Sequence, residues 1–151
     1  MKRFLFVIVF FWSIQLTAQD LKWHNDINNA IKISLKSKKP MLLFFTGSDW
    51  CGWCIKLQKE VFQKPEFSEW AKNVVLVELD FPRKTQLEEK LKQQNAQLQQ
   101  IFQVTGYPTV WLVTPQKNGD QINLQQLGKT GYVAGGPTKW IESVNPFLKP
   151  N

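Results

Sequence analysis

Cysteine is nearly missing from this sequence: Cys51 and Cys54 are its only two. A pair three positions apart closes only a very short loop, the least useful length for constraining an unfolded chain. A structural staple between distant segments is therefore excluded. Histidine is scarcer still, with His24 alone. A structural zinc site takes four ligands, and two cysteines with one histidine fall short of that. Ile55 follows the second cysteine, so the histidine that covalent haem attachment needs there is absent. No apolar run reaches the ~20 residues of a membrane-spanning helix; the run from Phe4 to Leu16 has thirteen. Nor is the positive charge gathered into the stripe of a nucleic-acid binder. The lysines are scattered, apart from Lys36, Lys38 and Lys39 at a predicted helix end, where they suit the helix dipole. Nucleic acid is not an expected partner, and neither a metal nor an organic cofactor is expected.

What is present describes one ordinary domain. A chain of 151 residues, 43% hydrophobic and 21% charged, builds a single core and is neither disordered nor a membrane bundle. Lys2 and Arg3, the apolar stretch Phe4 to Leu16, and Thr17-Ala18-Gln19 before Asp20 form the three-part pattern of a secretory signal peptide. Residues 1–19 are read as that signal, with cleavage after Ala18 or Gln19, and residues 20–151 as the mature domain. The expected location is periplasmic or secreted, with no stable membrane insertion after cleavage. Removing Lys2 and Arg3 from 19 basic residues leaves 17 against 12 acidic, so the net charge falls from +7 to +5.

Hydrophobic periodicity then divides the domain. Asp26 to Lys38 reads as an amphipathic helix with Ile27, Ala30, Ile31, Ser34 and Leu35 on one face. Asn25 or Asp26 caps it and Pro40 stops it. Met41 to Phe45 is a continuous apolar run of strand length, as in a strand buried on both faces. Cys51 to Phe62 reads as a helix burying Leu57, Val61 and Phe62, and Pro65 to Lys72 as a shorter one. Val74 to Phe81 is a second buried strand. A long helix is expected from Lys84 to Phe102, with Leu87, Leu91, Leu98, Ile101 and Phe102 on its apolar face, Ala96 continuing it and a glutamine-rich solvated side. Thr109 to Thr114 is a third strand, Pro115 to Asp120 a hairpin turn around Asn118-Gly119, and Gln121 to Leu127 a polar fourth strand near a sheet edge. Gly135-Gly136-Pro137 opens a last helix over Thr138 to Leu148, with Trp140, Ile141 and Val144 facing inward. The β-α-β start requires parallel strands and the hairpin an antiparallel pair. The fold class is α/β: a mixed four-stranded sheet flanked by helices, with an extra helix at the N-terminus. Trp111 and Trp140 are assigned to the core and His24 to the surface ahead of the first helix.

The chemistry rests on Cys51 and Cys54. Cys51 falls where a strand ends and a helix begins, so free backbone N–H groups and the positive end of the dipole favour its thiolate. Cys54, one turn on, is placed to attack a mixed disulfide formed at Cys51. Trp50-Cys51-Gly52-Trp53-Cys54 resembles the active-site motif of the thioredoxin superfamily, set as in that family between a buried strand and a helix. Gly106-Tyr107-Pro108-Thr109 resembles the family's cis-proline loop, and the resemblance extends over roughly Trp23 to Leu148. It implies a thioredoxin-like fold and thiol–disulfide exchange with protein clients. It implies also that Pro108 packs beside the redox pair while the backbone of Tyr107 pairs with the client. Trp53, at the helix start, is expected to be exposed and to touch the client. Trp50 divides between packing and that role. Asp49, Gly52 and Lys56 are expected to support the pair.

One departure stands out. Many thioredoxins carry a buried carboxylate six residues before the first cysteine, and here that position is Phe45. Proton handling then falls to Asp49, Glu60, Lys56 or water, or is absent. The direction of electron flow also stays open. C-x-x-C pairs span roughly 150 mV, about 7 kcal/mol for two electrons. Gly52-Trp53 matches neither the Gly-Pro of reducing thioredoxins nor the Pro-His of strong oxidants. The leading expectation is a reductase, which needs a membrane-bound thiol donor as electron partner. An oxidase or isomerase, and a client-binding module without turnover, are the alternatives.

Overall fold

A computed structural model describes residues 21–149; the segment read as a signal peptide lies outside the described residues. After Leu21 and Lys22 comes a two-residue strand β1 (Trp23–His24). Helix α1 (Ile27–Ser37) begins at Asp26, whose carboxylate accepts the Asn29 N–H at 3.0 Å, a side-chain N-cap. Lys38 ends it in the left-handed region, at φ 56°. Strand β2 (Met41–Thr46) is buried along its whole length. Helix α2 (Gly52–Leu57) runs into a π turn over Gln58–Phe62, marked by the Gln63 N–H reaching back to the Gln58 carbonyl. Leu57, Val61 and Phe62 are buried, the face expected from the sequence. Helix α3 (Pro65–Ala71), strand β3 (Val75–Asp80), helix α4 (Glu89–Ile101), strands β4 (Thr109–Asn118) and β5 (Gln121–Thr130), and helix α5 (Gly136–Val144) complete the order. A 3₁₀ turn over Asn145–Leu148 follows α5.

The sheet has five strands in the order β1-β3-β2-β4-β5, where four were expected. β1 and β2 both run parallel to β3, while β4 is antiparallel to β2 and β5. The extra strand is β1, too short to show any alternation in sequence. Its edge position is held by the Trp23 ring, which packs against Phe44, Phe62 and Phe67 at 5.3–6.5 Å between centroids. His24 is accordingly a half-buried strand residue, not an isolated surface one. Burial first, and then the charge of Lys22, hold its imidazole pKa below the ordinary value.

Alternation along the strands divides the core between two faces. Leu42, Phe44, Leu76, Val110 and Leu112 turn toward α2, α3 and α5, joining Leu57, Phe62, Phe67 and Trp140. Met41, Leu43, Phe45, Val77, Leu79 and Val113 turn toward α1 and α4, joining Ile27, Ala30, Leu98 and Phe102.

Three boundaries moved for identifiable reasons. The long helix starts at Glu89 instead of Lys84 because the Arg83, Lys84 and Thr85 N–H groups are drawn to the Asp49 carboxylate. Its buried stripe runs through Asn95, Leu98 and Phe102, so Ile101 and Ala96 are exposed; Ile101 is 63% accessible. Buried Asn95 fits that stripe because its amide donates to the Asp80 carbonyl at 2.9 Å. The hairpin turn shrinks to Gly119-Asp120, with Gly119 at φ 62° and the strands paired out to Asn118 and Gln121. Pro115 is therefore inside β4, on a stretch past Val113 that no longer pairs with β2, an open side that tolerates a residue without an N–H. The last α-helix ends at Val144, one residue short of Asn145-Pro146, and the tighter turn takes over. β5 lies at the sheet edge, as its polarity suggested.

Candidate active site around Cys51 and Cys54

β2 stops at Thr46, and Gly47 to Trp50 carry the chain over the sheet end to α2. The Gly47 carbonyl accepts the N–H groups of both Trp50 and Cys51, at 3.2 and 2.8 Å. Cys51 becomes the N-cap residue of α2, its Sγ accepting the Cys54 N–H at 3.2 Å. The two cysteines form a disulfide, with Cα atoms 5.3 Å apart. Both cysteines are buried, Cys51 retaining 6% of its surface and Cys54 none.

The second loop arrives through strand register. Thr109 pairs with Phe45 at the end of β2, which sets Pro108 and Tyr107 at the same sheet end as the Gly47–Trp50 turn. The Tyr107–Pro108 peptide is cis. The Tyr107 ring meets Trp50 edge-on at 5.7 Å and Phe81 at 5.2 Å, and its hydroxyl accepts from the Gln99 amide at 2.9 Å. Burial pushes that phenol's pKa up.

The residues around the pair have distinct positions. Trp50 is half-buried, and its indole N–H donates to the Phe81 carbonyl at 2.8 Å. Its ring covers Gly47, where even a methyl group would collide with the indole. Asp49 accepts the backbone N–H groups of Arg83, Lys84 and Thr85 at 2.7–3.0 Å. Those bonds, the Arg83 one foremost, hold its carboxyl below the usual range. Asp49 thus organises the loop after β3. Gly52 is exposed and nothing crowds the place of a β-carbon there. Trp53 is 58% exposed and tilts over Tyr132 at 5.2 Å. The Lys56 ammonium lies 5.1 Å from both rings and 3.9 Å from Glu60, whose other oxygen accepts the Tyr132 hydroxyl. That hydrogen bond is the main cause of a raised Tyr132 pKa.

The sequence reading overlooked Asp80 and Glu78. Asp80 receives the Ser48 N–H at 2.8 Å and the Ser48 hydroxyl, pinning the turn before Cys51. Glu78 pairs in register with Phe44 and so turns to the face that holds the cysteines. The Gln58 amide approaches it at 3.5 Å. Glu78 and Asp80, alternate residues of β3, share that face, with Asp80 engaged by Ser48, whereas Asp49 bonds the loop after β3 and Glu60 bonds Tyr132. Only the alternation of Glu78 with Leu76 could have flagged it. Burial first, then the Asp80 charge, raises its pKa. The folded state therefore binds this proton more tightly than the unfolded chain. Its contribution is greatest below the unfolded carboxyl pKa of ~4.3 and is lost as pH rises through the folded value. Glu78→Gln should accordingly be more stable than the parent at pH 8, with the gain vanishing near pH 4, as urea midpoints at the two pH values will read. A constant difference at both would contradict this.

Among the described residues no group of three or more His, Cys, Asp or Glu could hold a metal ion, and no helix is long and apolar enough to cross a membrane.

A thioredoxin-like family model matches residues 22–115. The chain is 35% identical over 135 residues to the Chlamydia pneumoniae protein named disulfide bond reductase DsbH, covering 89% of this chain and 76% of that one. It is 29% identical to the thioredoxin-related protein DsbJ of the same organism, covering 78% of this chain and 33% of that one. A solved DsbH oxidoreductase structure superposes with a TM-score of 0.76 at 34% identity, covering 87% of this chain and 86% of that one. With a closed C-x-x-C pair at the head of the helix that follows its central strand, the chain belongs to the thioredoxin-like family and is a thiol–disulfide oxidoreductase.

Proposed function

We propose that the protein reduces disulfides of protein clients outside the cytoplasm, with Cys51 as nucleophile and Cys54 as resolving thiol. The observation that carries the assignment is the asymmetry of the pair: Cys51 caps the start of α2 and keeps 6% of its surface, whereas Cys54, one turn on, keeps none. In the reduced protein the Cys51 thiolate attacks one sulfur of a client disulfide. An S–S bond forms between Cys51 and the client, and the client's other sulfur leaves as a thiolate. Cys54 then gives up its proton and attacks Cys51 Sγ, closing the Cys51–Cys54 bond and releasing the second client thiolate. Two electrons pass from the pair to the client, and an external dithiol must restore them. A membrane-bound thiol donor fits that need for an exported protein.

The Cys54 N–H, which points at Cys51 Sγ in the disulfide form, supports a thiolate there after reduction. Tyr107 and cis-Pro108 offer the client an extended backbone edge, and exposed Trp53 offers an apolar one. The name of the Chlamydia relative, a disulfide bond reductase, supports the direction. Export rests on the residue pattern of the first nineteen positions.

Equilibration with glutathione tests the direction. A reductase should sit well below glutathione in reduction potential, near the ~−270 mV of thioredoxin. A value close to that of strong oxidants, ~−120 mV, would reverse the assignment.

A further inference from the structure

A guanidinium is mounted at the edge of the redox site with no ion-pair partner among the described residues. The Arg83 Cζ lies 3.7 Å from the centroid of the Trp50 ring, stacked on the residue that precedes Cys51. Both ends of this stack are fixed. Trp50 is held by its bond to the Phe81 carbonyl and by the space that Gly47 leaves for it. The Arg83 backbone is held by the Asp49 carboxylate at 2.9 Å. Asp49 is thereby spent on three backbone N–H groups, and Arg83 forms no ion pair with any carboxylate among the described residues. Lys56, on the other flank of the pair, differs in having Glu60 within 3.9 Å.

Stacking uses the face of a guanidinium and leaves its N–H groups free in the plane, where they suit the two oxygens of a carboxylate. Trp50 also meets Tyr107 edge-on, 5.7 Å between ring centroids. Trp50 thus neighbours both Arg83 and the tyrosine of the cis-proline loop.

We infer that Arg83 is a specificity residue that binds a carboxylate side chain on the client, next to the disulfide being reduced. The substrate class is then an acidic segment flanking a cystine. This rests on the proposed client reduction, and it makes Trp50 a mount for the cation as well as packing. The site is exposed, so salt screens the contact.

Two cystine peptides test it, identical except that two flanking positions are Asp and Glu in one, Asn and Gln in the other. Their kcat/KM values are compared for the full chain and for Arg83→Gln, with dithiothreitol regenerating the dithiol. The parent should favour the acidic peptide about tenfold at low ionic strength, the size of one charge-assisted contact. That preference should lie mainly in KM and shrink in ~1 M salt. In Arg83→Gln the ratio should fall to about one, and Arg83→Lys should restore only part of it. A parent ratio near one, or a preference that survives in Arg83→Gln, overturns the inference. So does an equal fall for both peptides, which would place the effect on the Cys51 thiolate. Equal turnover of both peptides leaves client reduction standing, whereas turnover of neither removes that reading together with this one.

Discussion

Cys54→Ser is expected to accumulate as a covalent mixed disulfide with its client, while Cys51→Ser captures nothing and loses activity. The two outcomes follow from the different positions of two chemically identical side chains. Cys51 caps α2 and keeps 6% of its surface; Cys54 is fully buried one turn on, with its N–H directed at the Cys51 sulfur. Replacing Cys51 removes the proposed nucleophile, and turnover should drop by about three orders of magnitude or more, as on loss of other catalytic nucleophiles. Replacing Cys54 leaves the attack intact and removes the group that releases the client. Non-reducing electrophoresis of the two variants after export in cells reads the difference directly. Capture by both variants, or only by Cys51→Ser, would contradict the assigned order. Activity that persists in Cys51→Ser would favour a client-binding module without turnover.

The largest expected effect on stability is that of Trp140→Ala, at about 3–5 kcal/mol. Trp140 is fully buried, and its ring meets Phe62, Phe67 and Trp70 at 5.4–5.7 Å. Its indole N–H donates to the Gly131 carbonyl at 3.0 Å. Truncation leaves a cavity in the center of the aromatic cluster and a carbonyl without its donor. It also loosens α5, which buries only Trp140 and Val144 fully. Against the 5–15 kcal/mol of a typical domain, that loss is a large share of the total. Trp140→Phe keeps most ring contacts and should cost markedly less. Urea unfolding of the three proteins measures both numbers. A cost below ~1 kcal/mol for the alanine variant would mean that α5 is not anchored through this residue.

The positions of sequence and structure differ most where long-range contacts compete with local preference. Residues 84–88 have helical periodicity, yet the Asp49 carboxylate takes the N–H groups of residues 83–85 and delays α4 to Glu89. Nothing within that segment reports a partner 34–36 positions away. β1 was invisible for a related reason: two residues show no period, and only pairing with Leu76 and Val77 makes them a strand. Asp49 was one of several candidates for the pair's proton handling, and the structure ties its carboxylate to the loop that carries Arg83.

By itself the sequence determined the redox pair, the α/β class, the order of the main elements and the Tyr107-Pro108 loop. The pair, the class and the element order are written in local pattern, cysteine spacing and runs of apolar residues, and the loop in the resemblance of Gly106-Tyr107-Pro108-Thr109 to the thioredoxin cis-proline loop. Only the tertiary structure decided that Glu78 and Asp80 share the cysteine face of the sheet, that Asp49 is tied to the loop after β3, and that Arg83 lies over Trp50. Those depend on strand register and on contacts between β2, the loop after β3 and the start of β4. Three stretches of chain distant in sequence meet at one end of the sheet, and no local pattern encodes how they meet.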